Sequence, residues 1–211
     1  MSFVKIRKLR DLELIIQEIP GYRSPKLQLE QYVTDANIVA TAVWDAYMRG
    51  YLTNARVLDL GCGTGRFAIA ASIMGARHVV CIDIDNDAII IAKEHAQKYG
   101  LNNIDMVTMD VKASALMRRF DIVFQNPPFG IWSGKGTDID FLKIATNYGN
   151  TIYTIHKLST LGFISRKVKS WGCEINVVDK VTITIPPMYR HHKMKKYKVE
   201  VFLARVECPR K

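Results

Sequence analysis

A chain of 211 residues, 48% apolar and 24% charged, is long enough for one domain with a full core. No apolar run approaches the roughly 20 residues that span a bilayer, and Asp11 and Glu13 interrupt the basic-then-apolar start, so neither a membrane anchor nor a signal peptide is expected. The formal charge of +10 is uneven: residues 1–54 carry +1, 55–155 carry 0 and 156–211 carry +9, a distribution that suits either a polyanionic partner or a solvated basic face.

Residues 5–19 place Ile6, Leu9, Leu12, Ile16 and Ile19 at helical spacing, and Pro20-Gly21 ends that helix. An irregular stretch, 22–34, leads to a second helix over 35–49, which Thr34 or Asp35 could cap. From residue 55 strands and helices alternate. Strands are expected at 55–60, 78–83, 104–109, 120–124 and 151–155, with helices at 66–75, 86–100, near 138–148 and near 159–171. Two final strands, 173–186 and 196–206, have no helix between them and should pair antiparallel around 187–194. The pattern predicts an α/β, Rossmann-like fold: a seven-stranded, mostly parallel sheet with a C-terminal antiparallel hairpin and helices on both faces. Residues 1–50 read as a helical extension and 51–211 as one catalytic unit. Cys62, Cys81, Cys173 and Cys208 form no CxxC pair, which indicates neither a zinc site nor a disulfide framework and makes the cytoplasm the expected location.

DLGCGTG (59–65) joins the first of these strands to its helix, where glycines let a ligand approach the backbone in front of a helix N-terminus. Asp83 ends the next strand, where an acid can accept both hydroxyls of a ribose. Asp85 and Asp87 compete for that role but read as helix-start residues. Asp110, after the third strand, is placed to meet an adenine amino group.

QNPPFG (125–130) follows the fourth strand. Two prolines fix φ and remove donors, so the segment can continue neither as strand nor as helix. It presents two rigid acceptors, the Asn126 side chain and the Pro127 carbonyl, which suit one amino group with two hydrogens. Both bonds favour a tetrahedral nitrogen and aim its lone pair at an electrophile. Phe129 can stack on an extruded base.

The glycine turn, CIDID (81–85) and the Asn-Pro-Pro-Phe tetrad resemble class I S-adenosylmethionine-dependent methyltransferases that modify planar amines. With PKLQLEQYVTDANIVA (25–40), KGTDIDFL (135–142), YTIHK (153–157) and the tail PPMYRHHKMKKYKVEVFL, the chain is similar to the methyltransferase-like-five family from about residue 5 to 206. That family forms N6-methyladenine in small-subunit ribosomal RNA. The resemblance implies Asn126, Pro127, Pro128 and Phe129 as the catalytic tetrad. It implies Gln31, Tyr32, Thr34, Asp59, Gly61, Cys62, Gly63, Asp83, Ile84, Asp110, Val111 and Asn126 around S-adenosylmethionine, with no metal or general base required. Val33 and Thr64 depart from the family pattern, the first altering loop stiffness more than chemistry.

For RNA, Lys135 and Lys143 flank the tetrad, His156 and Lys157 follow the fifth strand, and Arg190, Lys193, Lys195 and Lys196 lie among aromatics in the tail. His156 serves equally as a packed residue. The third strand, 104–109, should be an open edge, and the resemblance implies a small zinc-binding activator that pairs with it. The same tetrad would also accept DNA adenine, the guanine N2 amine or a protein glutamine. An intact tetrad argues against a non-catalytic RNA-binding module.

Overall fold

The computed structural model describes residues 6–113, 119–185 and 197–209. In chain order the elements are α1 (Leu9–Gln17), α2 (Ala36–Met48), β1 (Arg56–Leu60), α3 (Arg66–Ile73), β2 (His78–Asp83), α4 (Asn86–Lys98), β3 (Ile104–Thr108), β4 (Phe120–Gln125), α5 (Thr137–Tyr148), β5 (Gly149–Lys157), α6 (Leu161–Ser170), β6 (Glu174–Ile185) and β7 (Tyr197–Glu207). One 7-stranded sheet runs β3-β2-β1-β4-β5-β7-β6. The first five strands pair in parallel, and β7 enters antiparallel between β5 and β6. The strand order reverses between β1 and β4, so the carboxyl ends of these strands flank the topological switch point where open α/β sheets bind ligands.

Alternation along the strands sorts the core into two layers. Val57, Ile122 and Phe124 face α1 to α4 through Leu12, Ile16, Val39, Val43, Ile69 and Ala92. Leu58, Leu60 and Val123 face α5 and α6 through Leu142, Ala145, Ile164 and Val168. Residues of the extension therefore share one apolar cluster with the sheet. A cation fastens that arrangement: the Arg66 guanidinium donates to the carbonyls of Thr34 (2.8 Å) and Ile19 (2.5 Å). A positive residue opening a helix is unfavourable for the helix dipole; here the two carbonyls account for it.

Three expectations change. The strand expected at 151–155 extends over Gly149–Lys157, because β7 pairs with it as far as Lys157. His156 is thus a strand residue. Second, the cysteines do pair, as Cys62–Cys81 and Cys173–Cys208. The first pair forms because the N–H groups of Gly61 and Cys62 both donate to Ile82 O (2.8 and 2.9 Å), laying the turn across the end of β2. The scatter of cysteines in sequence conceals this adjacency. Third, β3 is an edge, as expected, but Ile104, Met106, Val107 and Met109 lean partly into the core rather than lying bare. No helix among the described residues is long and apolar enough to cross a membrane.

Candidate active site

The carboxyl ends of β1, β2 and β4 open into a cleft of about 250 Å³. Gly61 adopts φ +71 in its floor, and a Cβ there would meet the Phe141 ring at 3.2 Å. The Gly63 N–H donates to Asp83 Oδ2 (2.7 Å). A side chain at Gly63 would collide with the Tyr22 hydroxyl, which covers that glycine. Asp83 Oδ1 accepts from the Asp85 N–H (2.9 Å), so each oxygen keeps lone-pair capacity toward the cleft. Burial holds its pKa above the ordinary carboxylate value.

Asp59 lies behind the turn rather than in the cleft. It is 1% exposed and accepts from the Ala68 N–H (2.8 Å), so it holds the first turn of α3. Burial pushes its pKa up to about 8. Asp59, expected around S-adenosylmethionine, therefore supports the turn from behind instead of lining the cleft. Asp59, Cys62 and Cys81 bring ligating atoms within 4.8 Å of one another, but the two sulfurs are bonded to each other.

On the far wall, Asp110 and Val111 line the cleft, and Asp110 Oδ1 accepts from the Lys112 N–H (2.9 Å). Ile84 also lines it and is 49% exposed, an apolar side chain free to meet the flat face of a base.

Residues 22–34 roof the cleft. Gln31 is a stitch within that roof: its Oε1 accepts from the Lys26 N–H (2.7 Å) and its Nε2 donates to Asp85 Oδ2 (2.6 Å). The Lys26 ammonium also donates to Asp85 Oδ1 (2.5 Å), and against burial the Gln31 bond and then this pairing depress the Asp85 pKa. Asp85 is thus the anchor of the roof and the N-cap of α4, as its helix-start position implies. Glu30 takes φ +50, and its buried carboxylate reaches the segment after the tetrad.

Asn126 follows β4 at the lip of the cleft. Its Nδ2 donates to Thr34 Oγ1 (2.9 Å). Its Oδ1 is buried and has no hydrogen-bond partner among the described residues. An unpaired buried acceptor costs about 1–3 kcal/mol and calls for an explanation. The Tyr32 hydroxyl is also buried, beside the Asn126 amide but without a bond of regular geometry, and burial raises its pKa. Phe129 is only 7% exposed. The Tyr32 ring lies 5.3 Å from its centroid and the Lys157 ammonium 5.8 Å. It forms a packed wall rather than the free stacking face that the tetrad suggests.

His156 does not reach the surface. It is 0% exposed, its Nδ1 is 3.1 Å from Asp138 Oδ2 and its Nε2 is 2.9 Å from Thr154 Oγ1. Thr154 Oγ1 in turn accepts from Gln125 Nε2 (3.0 Å), one residue before the tetrad. The RNA contact expected of His156 gives way to a buried relay that ties α5 and β5 to the tetrad's entry. Lys135 is exposed, Lys157 is partly so, and the Lys143 ammonium lies over the Trp171 ring at 4.6 Å. Arg190, Lys193, Lys195 and Lys196 lie outside the described residues. Sequence reasoning missed Tyr22, Glu30, Arg66 and Phe141; of these only Arg66, a cation at a helix start, carried a local anomaly.

The strand order, the glycine turn below a carboxylate-rimmed cleft and the amide at its lip define a class I methyltransferase. Residues 52–164 match the family described as a methyltransferase domain. The chain is 34% identical to the zebrafish rRNA N(6)-adenosine-methyltransferase METTL5, over 92% of this chain and 96% of that protein. It is 35% identical to the Drosophila melanogaster enzyme of the same name, over 95% and 96%. The solved structure of a candidate RNA methyltransferase from Pyrococcus horikoshii superposes with a TM-score of 0.85 at 28% identity, covering 97% and 98% of the two chains. The chain belongs to the METTL5 family of methyltransferases.

Proposed function

We propose that this protein transfers a methyl group from S-adenosylmethionine to the N6 amine of adenine in RNA, with ribosomal RNA as the substrate. The observation that carries the reading is Asn126 Oδ1, a buried acceptor without a partner at the lip of a nucleoside-shaped cleft. Thr34 takes up the amide N–H and so turns the oxygen toward the acceptor side. The zebrafish, fly and Caenorhabditis elegans relatives are all named as rRNA N6-adenosine methyltransferases.

The residues present fit the donor. Asp83 offers acceptor capacity to ribose hydroxyls, Asp110 accepts from an adenine amine, Ile84 and Val111 offer apolar contact, and the turn 61–64 lines the other end of the cleft. S-adenosylmethionine, when bound, supplies a methyl carbon already activated by the sulfonium. The chain's task is to prepare the nucleophile. Asn126 Oδ1 and the Pro127 carbonyl accept the two N–H groups of the base amine, which draws the nitrogen lone pair out of the ring and fixes its direction. Phe129 and Tyr32 wall the acceptor side and limit water around it. The proton released from the methylated nitrogen leaves to solvent, so no side-chain base is needed.

Lys135, Lys157 and the basic segment 190–196 supply phosphate contacts in this reading. A small zinc-binding activator would add a strand at the open edge of β3. We place the enzyme in the cytoplasm with its RNA. Disulfides are compatible with that location in hyperthermophilic archaea and bacteria.

The test is transfer of labelled methyl to total RNA of the source organism, followed by nucleoside mass analysis, with Asn126→Ala as the control. N6-methyladenosine made by the wild type and lost in the variant is the expected result. Donor binding without transfer to RNA would overturn the acceptor assignment.

A further inference from the structure

Three residues beyond Phe129 stands Trp132, which at 56% exposure is the most exposed aromatic among the described residues, and its neighbour Ile131 is 47% exposed. Neither packs into the core clusters. The loop that carries them is nevertheless held firmly. Gly130 takes φ +74 and sits so close to Gly134 that a Cβ would lie 2.6 Å from its carbonyl oxygen, so the two ends of the loop touch. Gly134 and Gly136 also adopt positive φ. From below, Glu30 Oε1 accepts from the N–H of Trp132 (2.7 Å), the N–H of Ser133 (3.0 Å) and Ser133 Oγ (2.9 Å). Glu30 is 7% exposed and reaches this position from a left-handed backbone that a non-glycine residue adopts at a cost. Charge-assisted bonds of this kind are about twice as strong as neutral ones. A strained, buried acid thus fixes the backbone of a residue whose large apolar side chain stays in water.

Fixing the backbone while leaving the indole outside makes sense when the ring meets something flat that is not part of the chain. Its setting selects what that is. Trp132 stands three residues after the tetrad, exposed Lys135 is on the same loop, and Lys157 lies against Phe129. An exposed apolar ring on a loop that also carries an ammonium group suits a base with its phosphate nearby. Extracting one base from a strand uncovers the face of its neighbour, and the tetrad's own aromatic is buried and unable to cover that face.

We propose that Trp132 stacks on the nucleotide adjacent to the target base, with Ile131 against its edge, and so forms the flanking subsite for single-stranded RNA. The proposal rests on the RNA-adenine reading above.

The experiment uses the full-length protein saturated with S-adenosylhomocysteine and a single-stranded oligoadenylate of about 12 nucleotides carrying one central 2-aminopurine. RNA affinity and 2-aminopurine quenching are measured for the wild type, Trp132→Ala and Trp132→Phe, and donor affinity is measured by calorimetry on the same three proteins without S-adenosylhomocysteine. Trp132→Ala is expected to bind the RNA about tenfold more weakly and to lose quenching, the loss expected for one base–aromatic stack. Trp132→Phe should restore most of both, with donor affinity equal in all three. RNA affinity within twofold of wild type in Trp132→Ala would overturn the proposal. So would an equal loss in Trp132→Phe, or a loss that follows donor affinity, since either makes the residue a mere support of the loop. If the wild type binds the oligomer yet methylates no RNA, the N6-adenine reading falls, while the stacking assignment is still decided by the Trp132→Ala affinity.

Discussion

Thr34→Val isolates the orientation of the catalytic amide. The substitution keeps the branched shape and removes only the hydroxyl that accepts from Asn126 Nδ2 at 2.9 Å. Arg66 holds the Thr34 backbone carbonyl, so the roof keeps its fastening. Asn126 then has a donor without its partner and is free to rotate, carrying Oδ1 away from the amine. One neutral hydrogen bond is worth about 1 kcal/mol net, and leaving a buried donor unpaired raises the cost toward about 2 kcal/mol. If that energy is lost from the reacting geometry, the rate falls by about 5- to 30-fold. The assay is a single-turnover methyl-transfer rate at saturating donor and RNA, with donor affinity measured separately. Thr34→Ser, which keeps the hydroxyl, should stay near wild type. A Thr34→Val rate within twofold of wild type would refute the reasoning. A fall in donor affinity with the saturated rate intact would do so as well, because Thr34 would then act on the donor.

Asp59 predicts a pH dependence of stability. Its pKa is raised from 3.8 to about 8 in the folded protein, so the folded state holds a proton that the unfolded chain releases. That contribution is complete below about pH 4 and declines as pH rises toward about 8, at up to about 1.4 kcal/mol per pH unit. Denaturant unfolding at pH 5 and pH 8 should show a steeper loss for wild type than for Asp59→Asn. Parallel pH profiles would mean that Asp59 is ionised in the fold. Reducing the disulfides frees two loops, with cysteines 19 and 35 residues apart. By chain entropy these are worth about 3 and about 4 kcal/mol. A thiol reductant should therefore lower the denaturation midpoint of the wild type, and a Cys173→Ser variant should already have lost the larger share; an unchanged midpoint would count against either crosslink.

Much of the architecture was legible because its signals are local. The alternating β and α units, the glycine turn and the prolines after FDIVF each report on their own few residues. His78–Asp83 and Asn86–Lys98 form close to where the pattern places them. What was not legible depends on residues far apart in the chain. Glu30 meets Trp132 and Ser133 across about a hundred residues, and nothing near either end announces it. Asp59 and Asp83 look alike in sequence, one an acid next to the last residue of its strand and the other the last residue of its own. Only the register shows that one turns back under α3 while the other faces the cleft. His156 lies beside Lys157 and seemed to share its surroundings, but strand alternation sends the two side chains to opposite faces, one buried and one toward Phe129.

The position of β7 has a consequence for how the molecule is made. β5 and β6 are synthesised before it, yet neither pairs with the other, and each waits for the same later partner. Until about residue 206 has emerged, β5 carries an unpaired inner edge, and the fully buried Val201, Phe202, Ala204 and Val206 have yet to fill both layers. A ribosome that stalls earlier releases a chain with two open sheet edges, a ready substrate for chaperones or proteases. Folding of the sheet is thereby tied to translation of β7. A protein that modifies ribosomal RNA in the way proposed here would reach its working form only when the ribosome making it has read nearly to the end of this sheet.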